Sequence, residues 1–385
     1  MMIDLVFPVL PPTLDGIGDH TAHLARALDD RGVSVRILTA QPSWSAPRNI
    51  TVRQAFRRGP RWGVLDLVEF YRTRSVPDWF LIQFEQFSYG RWGLNPFLPL
   101  AVRRIQRLAA DLRVAIMFHE DFMPASSLKT AIMSSWQRVQ FRVLGSLADV
   151  ALFSTEAWAD KYANWFSRTS VHHLPVGSNI PVVNADRMEE RARLGIDPNT
   201  IVIGLFGSAH PSRLLTHVGA AVQHCLQRSL DVRLLYIGAD GEQVRHVVGL
   251  DTPMLDAGPL PAAEVSRCFS AMDLYLAPFA TGVSTRRGSF LAGLQHGIAT
   301  VTTQGEQTGQ LLNSEHQHAF LAPSRSDEAS FTHCVRRLVQ DAEMRKELGH
   351  NGKCFYEQYF SWERLATGLS DALMSHRSAE DTRSA

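Results

Sequence analysis

The chain is poor in cysteine, with four in 385 residues, and no two of them form a CxxC pair. Cys225, Cys268, Cys334 and Cys354 thus offer no redox motif and no thiolate knuckle, and read as reduced thiols packed as small apolar groups. Net charge is equally slight: 39 Lys and Arg against 38 Asp and Glu leave +1, which gives no overall pull towards nucleic acid. No apolar run reaches the length of a membrane span. The opening MMIDLVFPVL lacks a basic lead and passes straight into a strand-like run, which speaks against a leader peptide and for a cytoplasmic chain. The dinucleotide fingerprint GxGxxG is missing, and no acidic residue closes the second strand, so a nicotinamide-type site is poorly supported. There is no short-period repeat, and low complexity is confined to the polar tail, where 377–385 are expected to be disordered.

What is present is material for a large core: 45% hydrophobic residues against 20% charged. A chain of 385 residues is long for one core, so two domains are expected. Apolar runs of strand length recur at 3–9, 33–40, 78–84, 114–118 and 150–154, alternating with helical stretches at 19–31, 99–112 and 127–147. Strands alternating with helices imply a mostly parallel sheet covered on both faces, with ligands held beyond the carboxyl ends of the strands. Residues 174–198 break the rhythm with several prolines, Gly177 and a charged helix, and read as a linker. The alternation then restarts with a strand at 200–206, a turn at Gly207, a helix at 213–228 and a strand at 232–237.

Three places carry candidate chemistry. Residues 273–303 read as strand, loop, helix, strand, and the loop holds Gly282, Arg286, Arg287 and Gly288, with Ser289 near the first turn of the helix. Free N–H groups and the dipole at that helix start favour an anion, two guanidiniums reinforce it, and phosphate is the anion expected. The alternative is that both arginines face solvent at a loop tip. His119 ends the strand at 114–118, where a catalytic side chain would sit, though with Glu120 and Asp121 it could equally form a helix-start cluster. Gly16 and Gly18 stand at the mouth of the first helix and would let another group approach the backbone closely. The pairs His172-His173 and His316-Gln317-His318 lack a supporting Cys or carboxylate set and read as surface or packed histidines.

Taken together the motifs resemble a retaining glycosyltransferase of the GT-B fold, similar to the family-four group that uses nucleotide-sugar donors. The resemblance rests on Gly16-Ile17-Gly18 running through Leu24-Ala25 to Gly32, on His119, on Ala148-Asp149-Val150 through Ser154-Thr155-Glu156, on His173-Leu174-Pro175-Val176-Gly177, and on Phe360-Ser361-Trp362-Glu363. It implies two Rossmann-like, doubly wound α/β domains facing across a cleft. An acceptor domain would cover 1–176 and a donor domain 177–360, with a last helix at 361–376 packing back on the first. It implies His119 beside the transferred sugar. It implies a donor diphosphate held by Gly16, Gly18, Gly207, Arg213, Ser284, Arg286, Arg287, Gly288 and Ser289, with no metal and no cofactor beyond the nucleotide sugar.

Two departures stand out. The family's phosphate turn G-R-x-x-x-x-K is here Gly207-Ser208-Ala209-His210-Pro211-Ser212-Arg213, which keeps a cation at its last position alone. The family's two glutamates eight residues apart fall on Ser284 and Ala292. Sugar transfer to a hydroxyl acceptor therefore competes with a sugar-nucleotide epimerase on the same fold and with a catalytically silent binding protein. Separately, Arg53, Arg57, Arg58, Arg61, Arg72 and Arg74, interleaved with Phe56 and Trp62, suit peripheral contact with an anionic membrane face or an acidic acceptor, or else form a solvated loop.

Overall fold

The structure is a computed structural model that describes every residue except Gln317 and Ala385, and for Ser314 and 377–384 the backbone alone. The chain divides into two compact units, unit 1 comprising Met1–Pro175 with Trp362–Ala385 and unit 2 comprising Val176–Ser361.

Unit 1 is built from β1 (Met2–Val6), α1 (Gly16–Asp30), β2 (Ser34–Thr39), β3 (Thr51–Gln54), α2 (Asp66–Arg72), β4 (Trp79–Phe84), α3 (Phe97–Leu108), β5 (Arg113–Phe118), α4 (Leu128–Leu147), β6 (Val150–Phe153), α5 (Glu156–Tyr162) and β7 (Ser170–His173). Its seven strands form one parallel sheet in the order β3-β2-β1-β4-β5-β6-β7. Strand order reverses between β1 and β4, so the loops that follow these strands flank the switch point at which such sheets bind ligands. Every residue of β4 is buried, as a strand sandwiched between helices requires, and this is why 79–84 is an unbroken apolar run apart from Gln83.

Unit 2 holds α6 (Arg187–Arg193), β8 (Ile201–Phe206), α7 (Leu215–Leu226), β9 (Val232–Ile237), α8 (Gly241–Val248), β10 (Met254–Asp256), α9 (Ala262–Ser270), β11 (Leu274–Ala277), α10 (Gly288–Gln295), β12 (Ala299–Thr302), α11 (Glu328–Gln340) and α12 (Ala342–Tyr359). Its parallel sheet has the order β10-β9-β8-β11-β12, with the reversal between β8 and β11. Both sheets are covered on two faces by separate apolar clusters.

The chain then returns to unit 1 as α13 (Trp362–Ser384). Leu365, Ala366, Leu369 and Leu373 of this helix join Leu24, Ala25 and Leu28 of α1 in one buried cluster beneath β1. Each leucine so buried is worth about 1.5–3 kcal/mol relative to exposure. The helix continues through 377–384, where the polar composition pointed to a disordered tail. No glycine or proline interrupts that stretch, and Ala and Glu propagate a helix already nucleated by packing. Ala385 lies outside the described residues.

The expected linker at 174–198 is also corrected. Leu174 belongs to the core of unit 1, whereas 176–198 is a packed part of unit 2. Arg191 on α6 is buried and donates to the carbonyls of Ala271, Pro198 and Thr200 and to Asp273. Prolines and glycines there mark turns in a bound segment, not slack. Among the described residues no helix is long and apolar enough to cross a membrane.

Candidate active site

In unit 2 the turn after β8, the loop after β11 and the start of α10 converge at the switch point. Gly207 has φ +108, and a Cβ there would lie 2.7 Å from Nη2 of Arg213, so only glycine lets the arginine fold back across the turn. Arg213 forms an isolated antiparallel bridge with Phe279, and its Nη2 donates to Ser289 Oγ at 2.8 Å. Its guanidinium carbon stands 5.2 Å from the Phe279 ring centre, and that of Arg287 stands 4.6 Å from the same ring. Two cations thus share one aromatic ring. Arg213 pairs with no carboxylate among the described residues, and its Nη1 is buried without a hydrogen-bond partner. Arg286 reaches Gln307 Oε1 at 3.4 Å.

The two helices that start here, α7 and α10, have no side-chain cap. Asp15, Ser127, Thr155, Asp186, Asp327 and Asp341 cap other helix starts with their own oxygens, while α2, α3, α8 and α9 are also uncapped, so what sets α7 and α10 apart is the guanidiniums beside them. At α10 the Gly288 and Phe290 N–H groups donate to the Arg286 and Arg287 carbonyls at 3.2 and 2.9 Å, so an external anion would meet the Ser289 N–H and the guanidiniums beside it. Gly288 is the first residue of α10 and Ser289 the second. Tyr275, whose hydroxyl donates to the Ser289 carbonyl at 2.9 Å, steadies that turn from below.

Ser284 is only 1% exposed and its Oγ is unpartnered, while Ala292 is fully buried inside α10. Ala292 is therefore a packing position. Ser284 sits under the loop, its carbonyl accepting from the Arg287 N–H at 3.0 Å.

Unit 1 differs at the corresponding edge. Asp15 caps α1, its Oδ1 accepting from the N–H groups of Ile17 and Gly18 at 2.9 Å each. Asp19 follows in the first turn, its carboxyl raised to about 6 by burial and by Asp15. The expectation that Gly18 offers its amide to a diphosphate is thus corrected: the chain's own carboxylate holds the Ile17 and Gly18 amides, and a Gly16 contact with the diphosphate stays a proposal. Gly18 serves packing, since a Cβ there would meet the Val9 carbonyl oxygen at 2.8 Å.

His119 follows β5 directly and is buried, with Nε2 2.6 Å from Gln83 Oε1 on β4. Burial lowers its pKa to about 3, so the ring is neutral at physiological pH. Its ring centre lies 5.0 Å from that of His20 on α1, edge to face. His20 in turn lies 5.2 Å from Trp362, and His23 stacks on the same indole at 5.0 Å. Both ring nitrogens of His20, Nε2 of Gln83 and both amide atoms of Gln86 are buried with no partner. Such orphaned groups cost about 1–3 kcal/mol each unless something completes them. The structure thus adds His20, Gln83 and Gln86 to the residues named from sequence. Position gave a hint: Gln83 is the one polar residue in an otherwise apolar strand.

Two arginines of the basic stretch at 48–74 are met from within. Arg57 pairs with Asp66 at 2.7 Å and covers Trp62, and Arg72 pairs with Glu69 at 2.6 Å. Among the described residues no group of three or more His, Cys, Asp or Glu side chains could hold a metal ion.

No protein family and no curated protein matches the chain by sequence. Solved structures do match by shape over nearly its whole length. Sucrose-phosphate synthase from Thermosynechococcus elongatus superposes with a TM-score of 0.73 at 15% identity, covering 98% of this chain and 100% of that one. The fold is GT-B. WaaG, a glycosyltransferase involved in lipopolysaccharide biosynthesis, gives a TM-score of 0.64 at 14% identity over 97% of this chain and 99% of its own. Anabaena HepE, solved in complex with UDP and glucose, gives 0.68 at 14% identity over 97% and 100%. Identities this low carry the GT-B fold across and leave the chemistry to the residues.

Proposed function

We propose that the chain transfers a sugar from a nucleoside-diphosphate sugar to a hydroxyl acceptor, with retention at the anomeric carbon and without a metal ion. The observation that supports it most is the cationic edge of unit 2, where Arg213 and Arg287 share the Phe279 ring beside uncapped helix starts. A diphosphate leaving group gains charge as its bond to the sugar breaks. Donors already fixed in place stabilise that charge without reorganising. Arg213, Arg287 and the Ser289 N–H are such donors, with Arg286 and Gly288 completing the loop. HepE, a GT-B neighbour, was solved with UDP and glucose, which fits a diphosphate ligand here.

His119 belongs to the sugar side of this reading. With the Gln83 amide oxygen facing the ring, Nε2 carries the proton and Nδ1 remains an acceptor for a sugar hydroxyl. A ring with a pKa near 3 is a poor general base, so its part is to hold the sugar and steady the ring as charge develops. Retention itself comes from the family-four resemblance. A cytoplasmic location with peripheral contact at a membrane face, made through unit 1, belongs to the same proposal.

The test is a panel of nucleoside diphosphates scored by thermal shift, followed by turnover of the corresponding sugar donors with and without acceptor. Transfer requires acceptor. Turnover without acceptor would indicate an epimerase, and binding with no turnover under either condition a binding protein.

A further inference from the structure

Helix α4 packs on the core through Met133, Phe141 and Leu144 and is apolar on its outer side as well. Its inward face also holds polar residues: Ser134, Gln137 and Gln140 are buried, Gln137 Oε1 accepting from the Met123 N–H at 3.0 Å and Gln140 Oε1 from the Asn95 N–H at 2.7 Å. The outward face is aliphatic. Leu128 is 80% exposed, Ile132 51%, Val139 64% and Val143 43%. Steps of four, seven and four residues put these side chains on one stripe, opposite the buried face of the helix. The Trp92 turn, which α4 holds through the Trp136 indole N–H donating to the Trp92 carbonyl at 3.2 Å, adds an indole that is 52% exposed. A helix that already has a buried face and still shows leucine, isoleucine and valine to water on the opposite side has an unfilled contact to make.

Charge indicates what fills it. Helix α4 carries Lys129, Arg138 and Arg142, and α3, packed beside it, carries Arg103, Arg104 and Arg107; all six are exposed and neither helix contains an Asp or Glu. A second copy of the same face would bring these cations against one another, so self-association through it is disfavoured. A surface of anionic headgroups over acyl chains satisfies both the aliphatic stripe and the flanking cations.

We propose that the outward face of α4, with Trp92 at its border, docks unit 1 on an anionic lipid surface. Leu128, Ile132, Val139 and Val143 enter the headgroup–acyl boundary while Lys129, Arg138 and Arg142 meet the phosphates. This rests on the peripheral-contact part of the proposed function and moves that contact from the basic stretch at 48–74, where Arg57 and Arg72 are paired internally, to α4. It does not depend on sugar transfer, so either can fail alone.

The experiment is flotation of the full chain with vesicles of phosphatidylcholine alone and with phosphatidylglycerol added. The expected result is binding to the anionic vesicles that weakens with salt and falls about tenfold or more in the double variant Ile132→Glu, Val139→Glu. A control, Val182→Glu at a similarly exposed valine of unit 2, should float as wild type. Urea unfolding midpoints, measured in parallel, should be unchanged in both variants and show that they are folded. Absence of wild-type binding to anionic vesicles, equal binding to both vesicle types, or equal binding of the double variant would each overturn the proposal. So would a lipid-free dimer that the double variant abolishes.

Discussion

The two units place their glycine-containing turns at equivalent points of equivalent sheets and fill them with opposite chemistry. In unit 1 the helix after β1 is capped by Asp15, with Asp19 beside it, the strand ends carry Glu85 and Glu120, and the buried polar groups there are the uncharged His20, Gln83, Gln86 and His119. In unit 2 the helices after β8 and β11 are uncapped and the groups beside them are guanidiniums. A parallel sheet determines where a ligand can sit, but the residues at the helix start determine its charge. A carboxylate-capped, amide-rich edge suits the hydroxyls of a sugar, and an uncapped cationic edge suits a diphosphate.

The largest effect is expected at the cationic edge. Arg213→Ala and Arg287→Ala should each weaken nucleoside diphosphate binding by about 1.5–3 kcal/mol, the range for a charge-assisted hydrogen bond, and leave binding of the bare nucleoside nearly unchanged. Titration calorimetry with the two ligands checks this, and diphosphate binding as tight as wild type in both variants would remove the asymmetry between the units. At the edge of unit 1, His119→Ala should lower kcat by about 10²-fold, as for loss of one positioned polar group, with diphosphate affinity unaltered. Wild-type turnover in that variant would take His119 out of the site.

A smaller effect is expected from Gly207→Ala, which forces a methyl group into left-handed backbone and against Arg213. It should cost about 1–3 kcal/mol of stability in urea unfolding and weaken diphosphate binding with it, whereas an unshifted urea midpoint would mean the turn is not held as described. The smallest concerns pH. His119, held near 3 by burial, takes up no proton when folded until the medium is far below the 6.5 at which the unfolded ring does. A depressed folded pKa means that its stability contribution is full above pH 6.5 and is lost as pH falls from there towards 3. His119→Gln should therefore trail wild type less at pH 5 than at pH 7; parallel urea midpoints at the two values would show that the folded ring protonates freely.

Much of the alternation was legible because strands buried on both faces must be continuously apolar, as at 79–84, 114–118 and 150–153. The strands that escaped notice are the short edges: β3 and β7 are half-exposed with mixed sequence, and β10 is three residues long. His119 was legible because it ends a strand. Its partner Gln83 and its neighbour His20 were not, since nothing in sequence brings α1 against the end of β5. Arg213 and Ser289 stand 76 residues apart and meet only through the sheet. The outward stripe of α4 was invisible for the opposite reason: leucine, isoleucine and valine at helical spacing read as core, and only the fold shows that the core lies on the other side.

The return of α13 to unit 1 also has a consequence for biosynthesis. Unit 2 is one uninterrupted stretch and is complete when Ser361 emerges, whereas unit 1 lacks the leucine ridge of α13 until after that point. At about 5–20 residues per second, translating Val176–Ser361 takes roughly 10–40 s. Throughout that interval Leu24 and Leu28 wait beside a vacant groove on a nascent chain. The unit whose strands are made first is the last to have all of its core residues synthesised.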